Sequence, residues 1–174
     1  MQDADLFMEL AGIAGVFVGF AALIAVRSGG PTEVSEVAYM RSVVGMGLLT
    51  VVAALAPVTL GRYGLTDHQI WALSSALALV GWLLLIAANA RTPEWRQGWA
   101  TVPGTIRWTP YEVVGTAVYV LYVIASILIP IIIVLGVAPN LEAALYFTCI
   151  VLILLGAAWA LLELVYMQRR PAVA

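Results

Sequence analysis

The chain has no lysine, one cysteine (Cys149) and one histidine (His68) in 174 residues. Without lysine it cannot form a retinal-type Schiff base. One cysteine excludes an intrachain disulfide and any paired-cysteine redox motif. One histidine excludes histidine-box metal chemistry and bis-histidine haem within one chain. Neither a G-x-S-x-G nucleophile turn nor a phosphate-binding glycine loop is present. Charge is also scarce. Charged residues make up 10% of the chain, against about 25% in an ordinary soluble domain. The net charge of −2 gives no basic surface for nucleic acid. These absences argue against an enzyme, a metal site and a resident cofactor.

What is there is mostly apolar, 63% of residues. Hydrocarbon needs about 20 apolar residues per helical crossing. Five segments meet that length: 6–26, 42–60, 70–90, 113–137 and 141–167. Backbone in lipid must satisfy its own hydrogen bonds, so helices are the reading of such runs. The expectation is an all-α, polytopic membrane protein, residues 1–174 forming a single transmembrane domain with membrane lipid as its surroundings. The acidic start, Asp3 and Asp5, lacks the positive region of a cleaved signal peptide.

The eight arginines set an expected orientation. Arg27, Arg41, Arg91, Arg96, Arg107, Arg169 and Arg170 fall on one side of such a bundle, and Arg62 alone on the other. The positive-inside bias then puts the amino terminus out and the carboxyl terminus in, in a cell (inner or plasma) membrane. Pro139-Asn140 marks a tight turn between the last two helices, and Asn140 is a candidate cap for the fifth. Thr66 to Gln69 reads as a capping box. Thr109 to Glu112 reads as a second, with Pro110 at the first helical position. Pro31 to Met40 has helical spacing, which would start the second helix early. The long loop between the third and fourth helices carries Trp95, Trp99 and Trp108 with three arginines, a composition suited to an interfacial segment at the cytoplasmic headgroups.

Several residues are candidates for function. Ala11, Gly15 and Gly19 form a small-residue stripe that lets helices approach closely, within the chain or between copies. The fourth helix carries a polar stripe of Glu112, Thr116, Tyr119, Val123 and Ser126, with Tyr122 adjacent, ending at Pro130, which should face a cavity, a pore or other helices. Glu163 lies in an apolar helix near its carboxyl end, where the dipole disfavours an anion. Arg41 is its expected partner, with Arg107 second. Glu9, near the outer end of the first helix, would form an acidic ring if repeated by symmetry around a pore. His68 is expected to be a solvated surface residue. The expectation that follows is a homo-oligomeric ion channel or small-solute pore. The alternative is a non-catalytic sensor or scaffold subunit acting through a protein partner.

Overall fold

The computed structural model describes residues 4–27, 34–92 and 110–168, with the side chains of 27, 34–36, 110–116 and 166–168 left out of the description. Five long helices account for nearly all of it: α1 (Ala4–Arg27), α2 (Val34–Leu60), α3 (Asp67–Ala90), α4 (Pro110–Val134) and α5 (Glu142–Gln168). Each contains a stretch long and apolar enough to cross a membrane. The composition and the helices together define a multi-pass membrane protein. The tryptophan loop with Trp95, Trp99 and Trp108 lies outside the described residues.

Successive helices alternate in direction. Phe7 of α1 meets Trp71 of α3 and Tyr146 of α5 at one end. Ala21, Val43 and Ala160 cluster at the other. The first is here the turn end, because the short 3-10 turns Gly61–Tyr63 and Pro139–Leu141 close it. The second is the loop end. α2 and α5 are the most buried helices, while α1 and α4 are more peripheral. α1 rests mainly on α2, and α4 packs between α3 and α5.

The helix ends follow from local chemistry. Thr66 accepts from the Gln69 amide and the Gln69 side chain accepts from the Thr66 amide, the capping box expected of those residues. α2 does begin early, at Val34. α4 stops at Val134, three residues short of the expected end at Val137. Gly136 takes a left-handed conformation (φ 64°). The amides of Gly136 and Val137 then turn back to the carbonyls of Ile133 and Ile132, which closes the helix. Asn140 sits inside the Pro139–Leu141 turn rather than capping α5, which starts at Glu142.

Helical glycines act as notches in most of the bundle. A Cβ added at Gly45, Gly47, Gly81 or Gly156 would come under 3.0 Å from Leu85, Val18, Leu49 or the Tyr122 hydroxyl respectively. Each glycine therefore lets a side chain of the next helix sit against backbone, the contact that drives association where lipid removes the hydrophobic drive.

Two prolines sit inside helices, Pro57 in α2 and Pro130 in α4. A proline cannot donate to the carbonyl four residues earlier, so the carbonyls of Ala53 and Ser126 lose their helical partners. α5 supplies both replacements. The Tyr146 hydroxyl donates to the Ala53 carbonyl at 2.6 Å, and the Cys149 thiol donates to the Ser126 carbonyl at 3.9 Å. Tyr146 and Cys149 are three residues apart and share a face. One side of α5 thus repairs the backbone of both neighbours, as an apolar surround demands.

Candidate functional site

Polar side chains divide into those that satisfy themselves and those that do not. Ser42, Thr50, Thr59, Ser126 and Thr148 each return a hydroxyl to a carbonyl one turn back on their own helix. Ser75, Trp82 and Tyr122 do not. Their polar atoms are shielded from the outside and have no hydrogen-bond partner in the protein. Ser75 and Trp82 lie on α3, and Tyr122 lies on α4. The Trp82 and Tyr122 rings meet edge to face, with centroids 6.2 Å apart. The Tyr122 hydroxyl rests on the bare backbone of Gly156, with the Met46 sulfur beside it.

These residues belong to a longer line. His68, Ser75, Trp82 and Asn89 recur every seven residues along α3. A straight helix drifts by about 20° per heptad, so the four stay on one side. Twenty-one residues at about 1.5 Å each cover roughly 30 Å, the thickness of the hydrocarbon core. The line runs from His68 at the turn end to Asn89, half-buried at the loop end.

Its turn-end member is exposed, as expected of a surface residue, but it is paired. His68 Nδ1 lies 2.7 Å from Glu142 Oε1, and that carboxylate is only 3% exposed while the imidazole is half-exposed. The Gly136 turn packs against the same ring, where an added Cβ would sit 3.2 Å from His68 Cε1. The pair thereby ties the start of α3 to the start of α5. Glu142 was not singled out by sequence reasoning. Its partner is 74 residues away, and as the first residue of a helix it reads as an ordinary dipole-stabilising acid.

The other sequence candidates are scattered. Glu163 makes no ion pair with Arg41. Arg41 points outward, while Glu163 acts electrostatically on Tyr39. Residues 39 and 41 are about 200° apart around a helix, so only one can face α5. The other candidate partner, Arg107, lies outside the described residues. Glu9 is exposed on the outer side of α1. Gly15 and Gly19 also face outward, and a Cβ at either would meet nothing within 4 Å. Gly15 and Gly19 therefore do not serve packing within the chain. Ala11, though spaced with them, is half-buried against the core. The polar stripe of α4 also divides. Tyr119 faces outward, whereas Ser126 is buried and bonded to its own helix. Glu112 and Thr116 lie on α4, but their side chains are outside the description. Among the described residues there is no group of three metal-ligating side chains.

Fold and composition define an all-helical, multi-pass membrane protein. No protein-family model matches the chain, and no curated protein or solved structure is similar to it.

Proposed function

We propose that the chain is a channel-type membrane protein that passes an ion or a small polar solute, works as a homo-oligomer and has no enzymatic role. The observation that carries this reading is the α3 line of His68, Ser75, Trp82 and Asn89, with its buried members unpaired. A polar row of that length in lipid is costly unless it serves a path. Assembly rests on the outward face of α1, where Gly12, Gly15 and Gly19 have open space and Glu9 lies on the same side. The arginine distribution favours the turn end outside and the loop end in the cytoplasm of an inner or plasma membrane.

The test is flux from purified protein in liposomes under voltage, tension and pH steps. Conductance or solute release is expected, and Trp82→Phe should alter it more than Glu163→Gln or Glu9→Gln. Folded protein that is silent and impermeable under all three stimuli overturns the reading. A second reading, a subunit that docks a different membrane protein, draws on the same open face of α1. A stoichiometric co-purifying protein in place of a homo-oligomeric mass would favour it.

A further inference from the structure

We propose that the turn between α4 and α5 is sunk into the lipid leaflet at the turn end of the bundle, with Leu135, Val137 and Leu141 among the acyl chains. The inference goes beyond the channel reading and needs only that the helices cross a membrane.

The two turns at this end are built differently. The one from α2 to α3 is flanked by Arg62, Tyr63, Asp67 and His68, all exposed. By contrast, the chain from Val113 to Leu141 has no charged residue. The outer surface of its turn is apolar: Leu135 and Val137 are each 69% exposed, and Leu141 is 57% exposed. Asn140 is the one polar side chain between Leu135 and Leu141. The acid that follows, Glu142, is turned inward and bonded to His68, so it brings no exposed charge to this surface. An exposed apolar patch of this kind marks a contact surface.

Continuity with the membrane-facing helices identifies what covers it. Leu121, Leu128 and Leu135 recur every seven residues along α4 and one residue past it, all exposed, and that spacing keeps them on one side. Leu141 opens a second outward stripe, which goes on along α5 through Leu155 and Leu162. Both stripes lie on spans long and apolar enough to cross a membrane. The turn therefore extends a lipid-facing surface without a break in polarity, which selects lipid over a protein as its cover. Backbone can enter lipid only if it is paired. The amides of Leu135, Gly136, Val137 and Leu141 are bonded to carbonyls close by in the chain, and Pro139 has no amide to pair. Asn140, exposed beside them, sets the depth: the turn rests just under the headgroups.

The experiment is spin-label depth measurement on the full chain in lipid nanodiscs. A nitroxide is attached at Val137→Cys, with Tyr63→Cys (74% exposed) as the reference on the other turn and Leu128→Cys as the reference inside the membrane. If Val137→Cys does not fold, Leu135→Cys replaces it. Cys149 is buried, and wild-type protein run in parallel reports any label it takes. Molecular oxygen concentrates in hydrocarbon and a nickel chelate stays in water, so the ratio of their collision rates with the label reads depth. The ratio at 137 is expected to be several times that at 63 and to approach that at 128. A label at 137 that meets the nickel chelate as freely as one at 63 overturns the proposal, because the turn then stands in water. A label at 137 shielded from both reagents also overturns it, because another protein or a second copy then covers the turn. Flux in liposomes reads the channel separately, and neither result decides the other.

Discussion

The two sides of the bundle core treat buried polar groups in opposite ways. Along α5, every acceptor released by a helical proline has a donor aimed at it: Tyr146 at Ala53 and Cys149 at Ser126. Between α3 and α4, the donors of Ser75, Trp82 and Tyr122 have nothing to meet in the protein. In the first seam the proline repairs are supplied from within the chain, as a backbone in lipid requires. The second seam leaves its polar atoms without a partner in the protein.

Tyr146→Phe should show the largest effect on this contrast. It removes the hydroxyl, leaves the Ala53 carbonyl orphaned and should cost about 2 kcal/mol. Cys149 is buried and is the chain's one thiol, so maleimide labelling under rising denaturant reads unfolding directly. Pro57→Ala returns an amide donor to the same carbonyl. In that background the tyrosine change should cost under about 1 kcal/mol, as removal of one hydrogen bond with no orphan left behind. Equal costs in the two backgrounds would break the account of the proline repair.

His68→Ala comes next. It strips Glu142 of its partner, and because the imidazole is half-exposed the expected loss is about 1 kcal/mol. A thermal melt in detergent monitored by circular dichroism reads it, and no change in midpoint would mean that the pair does not hold the α4–α5 turn. Tyr122→Phe deletes the same atom as Tyr146→Phe, but there the hydroxyl serves no acceptor in the protein. Its cost should be smaller, under about 1 kcal/mol by the maleimide assay. If Tyr122→Phe proved the more damaging of the two, the distinction between the seams would fall.

Parts of this were legible in the sequence and parts were not. Five apolar runs of sufficient length dictate five helices, and Thr66 with Gln69 announces its cap because both partners are local. The repair of Pro57 and Pro130 was hidden, since its donors lie on another helix 93 and 23 residues away from the carbonyls they serve. The row on α3 was present in the spacing. Tryptophan counts as apolar in a hydropathy reading, so hydroxyls drew attention to α4 instead. There Ser126 bonds to its own helix and Tyr119 faces outward. The depth of Glu163 could be read, but its neighbour could not, because a shift of two residues separates Tyr39 from Arg41 around α2.

The glycines carry the smallest predicted effect and sharpen the comparison at the edge of the bundle. On α1, Phe7, Leu10, Ala14 and Ala21 face inward, and Glu9, Gly12, Val16, Gly19 and Leu23 face away. Every notch glycine of the core lies against a side chain of the next helix, and those of α1 lie against nothing. Gly19→Ala should therefore leave protomer stability within about 0.5 kcal/mol, while the same change at Gly156 would push the Tyr122 hydroxyl from its seat. Gly19→Leu places a large side chain where only a neighbouring molecule could object. If copies meet there, native mass should fall toward the protomer while the maleimide unfolding curve stays in place. An unchanged oligomer would move assembly to another face. A shifted unfolding curve would mean that α1 is held less by its inner face than the burial of Phe7 and Ala14 requires.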